Sequence, residues 1–229
     1  MACPFVRLVL SDCAASTIPS QHSLTPVNTL PGAAASLAPK RNHTMAPVPT
    51  SLPGLGTSPP GFDDPLAMLH ACHERVRHSL SLLRLIGERV AASRVDGAVH
   101  AAAADVLRYF DQGAAQHHED EEQHIFPRVL AHTRDDAVRA AVLKLQEDHL
   151  AMESQWARLR VPLAALAQGR SEAYGASQIA ASALFCALYD EHAKSEERLV
   201  FPLAARLLDV DALQAMGDEM ARRRGVRTT

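Results

Sequence analysis

His117-His118-Glu119-Asp120-Glu121-Glu122-Gln123-His124-Ile125-Phe126-Pro127 is answered 75 residues later by His192-Ala193-Lys194-Ser195-Glu196-Glu197-Arg198-Leu199-Val200-Phe201-Pro202. The pattern His-x-x-x-Glu-Glu-x-x-x-Phe-Pro is thus written twice in one chain. Upstream of each copy stands another histidine, His73 or His149, 76 residues apart, in the contexts Leu69-His70-Ala71-Cys72-His73 and Leu145-Gln146-Glu147-Asp148-His149. The chain reads as two copies of a two-helix unit, each bringing one histidine plus His-x-x-x-Glu. Imidazole donors beside hard carboxylates, related by a pseudo-twofold, are what a pair of first-row transition metal ions requires.

Composition agrees with a helical reading. Of 229 residues, 47% are hydrophobic and only 4% aromatic, and the alanine and leucine that dominate are strong helix formers. Net charge is -3 with both signs interspersed, so no broad basic field invites nucleic acid or an anionic membrane. Arg222-Arg223-Arg224 is the one basic cluster and reads as a solvated tail. There is no apolar run of the length, about 18 residues, that a membrane span needs. Met1 to Leu10 is too short and weakly patterned for a signal peptide. Cys3, Cys13, Cys72 and Cys186 form no C-x-x-C pair, which points to a reducing cytoplasm, and Cys72 and Cys186 fall in helical patterns as small core residues.

Residues 1–62 hold 10 of the 14 prolines and show no sustained period, so this segment is expected to be disordered. Met45 within it is an alternative start. The expected folded domain is 63–222, followed by a flexible tail at 223–229. Asp64 as N-cap and Pro65 at the first helical position open a helix over about 65–92. Asp96-Gly97 separates it from a second, about 97–131. Asp135 or Asp136 opens a third, to about 167, with a kink expected near Pro162. Ser171 is read as the cap of a fourth, about 172–208, and a short amphipathic helix follows at about 211–222. Short connections between long helices give an all-α, up-down-up-down antiparallel four-helix bundle.

Helical period places a histidine in each of four core seams. The third helix carries Val142, Leu145, His149, Met152, Trp156 and Leu159 at steps of three and four; the first carries Leu69, His73, Val76, Leu80 and Leu83. The fourth carries Phe185, Leu188, His192, Glu196, Leu199 and Leu203; the second aligns Val106, Phe110, Gly113, His117 and Glu121. A buried polar group without a partner costs roughly 2–7 kcal/mol, so such a cluster needs something that satisfies all members at once. A metal pair does. At about 100° per residue Glu121 lies about 40° from His117 and Glu122 about 140° away, which selects Glu121, and by the same arithmetic Glu196 over Glu197. His118, Asp120, Glu122, His124 and Glu197 then either orient ligands or, taken singly, belong to the solvated face. His78, His100 and His132 have no repeat counterpart and read as surface residues. Pro127 and Pro202 each remove a backbone donor, and Phe126 and Phe201 are suited to an apolar lid over the metal end.

These paired motifs resemble the hemerythrin-like, or HHE cation-binding, domain family over about 64–208. The resemblance implies a four-helix bundle around two non-haem iron ions with an oxo or hydroxo bridge. It further implies His73, His117, Glu121, His149, His192 and Glu196 as ligands, Glu121 and Glu196 bridging. The oxygen carriers of the family place a second histidine four residues after the third-helix histidine; here Glu153 stands there. Glu153 faces the same way as His149 and is the expected seventh ligand, a change that favours ferric iron; His70 is an alternative donor whose counterpart is Gln146. The function so implied is binding of dioxygen, peroxide or nitric oxide for sensing, scavenging or iron holding, rather than that of a dedicated enzyme. A ferritin-like di-iron oxidase needs two Glu-x-x-His motifs, and only Glu121-x-x-His124 occurs. A metal-free helical interaction module is the third reading, and an intact ligand set speaks against it.

Overall fold

The computed structural model describes residues 60–226, so most of the segment expected to be disordered, with Met45, lies outside the described residues. Among the described residues the chain is helical without strands. Helix α1 is Pro65–Ala91, its first free N–H groups met by Asp64, whose carboxylate accepts from Ala67 N at 3.0 Å. Helix α2 spans 97–132 and is capped by Asp96; α3 is Asp136–Ala167, capped by Asp135 and continuous through Pro162. Helix α4 spans 176–207 and α5 is Val210–Arg223, capped by Asp209. The fourth long helix begins later than expected. Ser171–Ala173 forms one 3-10 turn, and Gly175 is the N-cap.

Helices α2 and α4 are interrupted at matching places. In α2, the segment Ala114–Asp120 passes through a π-helical turn, Glu121–Ile125, into Phe126–His132; in α4, Ala176–Ser195 passes through Glu196–Val200 into Phe201–Leu207. Proline explains the position of both. Pro127 and Pro202 cannot donate, and their rings crowd the carbonyl four residues back, so the preceding turn widens and Phe126 N–H reaches Glu121 O, as Phe201 N–H reaches Glu196 O. The extra residue rotates everything downstream. That is why Leu199, expected in the core seam, is 44% exposed while Val200 is buried. A third π turn, Tyr109–Gly113, likewise moves the buried position from Gly113 to Ala114.

Helix α1 packs on α2 and α4, and α3 packs on the same two, closing a ring of four. Two apolar clusters fill it. One contains Val76, Leu80, Val106, Phe110, Met152, Phe185 and Tyr189; the other contains Leu69, Ile125, Phe126, Leu145, Val200, Phe201, Met216 and Met220. Every long helix passes from one cluster to the other, and the histidines sit at the crossing: Leu69, His73, Val76 on α1; Leu145, His149, Met152 on α3. Losing Leu145 to alanine would cost about 2–5 kcal/mol and loosen one wall of that layer.

Helix α5 seals the second cluster with Met216, Met220 and Ala221. Gly217 lies against the Phe62 carbonyl, where a Cβ would stand 1.9 Å from the oxygen. Phe62 therefore packs with the folded unit, on the ordered side of the boundary expected at residue 62. No helix among the described residues is long and apolar enough to cross a membrane.

Candidate metal centre

Six of the seven expected ligands converge. His73, His117, Glu121 and Glu196 form one group whose donor atoms all lie within 4.8 Å of one another, and Glu121, His149, His192 and Glu196 form a second. Glu121 and Glu196 belong to both. Glu121 Oε1 is 3.3 Å from His117 Nε2 and its Oε2 is 3.5 Å from His149 Nε2. Glu196 Oε2 is 3.2 Å from His73 Nε2 and its Oε1 is 3.0 Å from His192 Nε2. Each carboxylate therefore turns one oxygen to each group, the arrangement of a bridge between two cations.

Burial makes this arrangement costly without ions. Glu121 and Glu196 have no solvent exposure, and all four of their oxygens lack a hydrogen-bond partner. Burial and the neighbouring Glu196 push the Glu121 carboxyl well above the usual carboxylate range. Burial acts the same way on Glu196, but His192 and His73 outweigh it and hold that group well below the range. His149 Nε2 and His192 Nε2 face each other at 3.1 Å. Cations between these donors would satisfy every one of these atoms, so the residues present fit a metal pair.

The second glutamate of each copy acts on the other half of the bundle. Glu122 Oε1 meets His149 Nδ1 at 3.0 Å and Glu197 Oε1 meets His73 Nδ1 at 2.8 Å. A carboxylate on Nδ1–H leaves Nε2 free to ligate and fixes the ring plane. Gln146 steadies Glu122 at 2.8 Å, and Arg77 steadies Glu197. Neither glutamate belongs simply to the solvated face. Phe126 lies along the His149 ring and Phe201 along the His73 ring, with centroids 5.5 and 5.2 Å apart, so the two Phe-Pro pairs wall the rings as well as filling the cluster beyond them.

Glu153 is the expected ligand that the structure does not bring in. It is exposed and absent from both groups. The inward line of α3 runs from His149 to Met152 and Leu159, which leaves Glu153 on the outer side, and the His149 ring is stacked on His118. His70 is exposed as well, its ring edge against Phe201. The lone Glu-x-x-His does not form a metal site: His124 Nε2 pairs with Glu219 at 2.8 Å.

Three features escaped sequence reasoning. His118 lies about 100° round the helix from His117, yet its ring stacks on His149 at 4.0 Å, and His118, His149 and His192 form a third close group. The signal available was its asymmetry, because Ala193 occupies the matching place. Asp120 is wholly buried rather than solvated, its carboxylate held by Arg223 at 2.6 Å and Arg224 at 2.6 Å. Those arginines, read as a solvated tail, are mostly buried. Asp148 Oδ2 stands 3.8 Å from His192 Nδ1, beyond hydrogen-bond reach but close enough to favour charge on that ring. Burial alone would lower the His192 pKa; Glu196 and Asp148 outweigh it and raise it to about 9.

Four helices that each turn one histidine toward a shared pair of carboxylates make a cation-binding helical domain. The Hemerythrin HHE cation binding domain profile matches residues 64–205, and the chain belongs to that family. A relative from Haemophilus influenzae, described as an uncharacterized protein, is 28% identical over 166 residues, covering 72% of this chain and 93% of its own.

Proposed function

We propose that this up-down-up-down bundle holds two non-haem iron ions, one at His73 and His117 and one at His149 and His192, bridged by Glu121 and Glu196. The observation that carries the reading is the pair of fully buried carboxylates with four unpartnered oxygens, each shared between two histidine pairs. Nitrogen and carboxylate donors in this ratio suit iron, which would supply one-electron redox chemistry toward dioxygen, peroxide or nitric oxide. Sensing, scavenging or iron holding are the roles that follow. The chain's own residues do the rest. Glu122 and Glu197 keep His149 and His73 turned inward, and Phe126 and Phe201 wall those two rings on their apolar side. A reducing cytoplasmic setting suits Cys72 and Cys186, both buried free thiols.

Protein loaded anaerobically with ferrous iron and mixed in turn with dioxygen, peroxide and nitric oxide should change its visible and near-ultraviolet absorption with at least one of them, in proportion to bound iron. Indifference to all three would contradict the gas- and peroxide-binding reading and leave only iron holding.

A further inference from the structure

The two groups of donors are not equal. An offset of 75 residues carries His117 onto His192 and Glu121 onto Glu196, but it carries His118 onto Ala193. The His149/His192 group therefore has a third imidazole beside it, and the His73/His117 group has a methyl group at the matching position. The His118 ring lies parallel to His149, centroids 4.0 Å apart with 11° between planes, and 5.9 Å from His192. Its Nε2 is buried without a hydrogen-bond partner.

The surroundings repeat the inequality. Asp148, one residue before His149, stands behind His192 and is itself paired with Lys144. Its counterpart one residue before His73 is Cys72, which offers no carboxylate. Neither His117 Nδ1 nor His192 Nδ1 has a hydrogen-bond partner, but Asp148 Oδ2 stands 3.8 Å from the second and no carboxylate is paired with the first among the described residues. A carboxylate at that distance makes no hydrogen bond to the ring but still stabilises positive charge at it and at a cation it would hold. One group thus gains a third nitrogen and a carboxylate behind His192, and the other gains neither.

We infer that His118 is a ligand of the His149/His192 position and that the two positions hold iron unequally: the ion at His118, His149 and His192 is retained, and the ion at His73 and His117 exchanges with free ferrous iron. This rests on the metal-pair reading above. It gives the protein a half-loaded state whose population follows the ferrous iron concentration, which is a means of reporting iron supply.

The test is iron release from anaerobically ferrous-loaded full-length protein to a ferrous chelator. Wild type should lose iron in two phases of similar amplitude. In His118→Ala the slow phase should accelerate by about 10–100-fold while the fast phase keeps its rate, and Asp148→Asn should accelerate the same phase by a smaller factor of about 10. Circular dichroism checks that each variant is folded, and His118→Gln serves in place of His118→Ala if the alanine variant is not. A single phase in wild type, or a folded His118 variant with an unaltered slow phase, would overturn the inference. Wild type that takes up no iron at all would instead bring down the metal-pair reading, and this inference with it.

Discussion

In the first copy of the repeated segment, the turn carrying His117 and Glu121 is gripped from outside: Arg223 and Arg224 of α5 hold Asp120, Arg223 also reaches Glu119 at 3.1 Å, and His124 pairs with Glu219. In the second copy, the turn carrying His192 and Glu196 has Lys194 and Ser195 where the first has Glu119 and Asp120. The seam positions His117/His192 and Glu121/Glu196 agree between the copies, whereas the positions between them do not. The shared part is set by the centre of the bundle, where two carboxylates must serve two groups of histidines at once. The divergent part is free to recruit a helix that follows residue 205, the last residue of the family match.

The largest effects should come where the copies agree. His117→Ala and His192→Ala each remove a donor from one position, and each should lose at least the ion held there; elemental analysis showing either variant at full loading would break the reading of the two matching motifs as metal-binding. Smaller but unequal effects should follow where they differ. Asp120→Ala strands two arginines that are only partly wet and should cost about 2–4 kcal/mol in chemical denaturation, whereas Ser195→Ala should stay within about 0.5 kcal/mol. Equal costs would mean that α5 does not anchor the first copy.

Acid should release the same anchor. Burial would raise the Glu219 carboxyl, but Arg223 and His124 outweigh it and hold it at about 2, below its ordinary 4.5. A depressed carboxylate stabilises the fold above its unfolded pKa and loses that contribution as pH falls toward the folded value. The stability gap between wild type and Glu219→Gln should therefore be constant above about pH 5, of the order of 1 kcal/mol after solvent screening, and close toward about pH 2. A gap that widens in acid would reverse the assigned sign. The smallest effect is expected at Glu153: because its side chain is exposed, Glu153→His should leave iron content and spectrum unchanged, and a shifted spectrum would return it to the ligand set.

Much of this layout was legible in the repeat. Four long helices, their caps at Asp64, Asp96 and Asp135, and the six His and Glu side chains that converge follow from helical period and from the two offsets of 75 and 76. Periodicity failed where the helix ceased to be regular. Leu199 was placed inside and Val200 left out because each π turn inserts a residue that an even 3.6-residue count cannot see. It failed also for pairs made between distant elements: Asp120 with Arg223 and Arg224 spans more than 100 residues, and in isolation both sides read as ordinary surface charge. His118 was hidden by its neighbour, since one residue off the seam counts as outside unless the adjoining helix is known to lie on that flank. Glu153 misled for the complementary reason: it follows His149 by one turn but lies on the outer side of the α3 seam, which runs on inward through Met152, Leu159 and Leu163.

The central claim, two iron ions sharing Glu121 and Glu196, is tested most directly by metal stoichiometry in wild type and in Glu121→Ala and Glu196→Ala. Each carboxylate faces both positions, so wild type should carry about two irons per chain, and either single substitution should disturb both positions together and leave well under one. Wild type that carries one ion or none when saturated with ferrous iron, or either variant losing a single ion cleanly while the other stays at full occupancy, would contradict the shared-carboxylate centre.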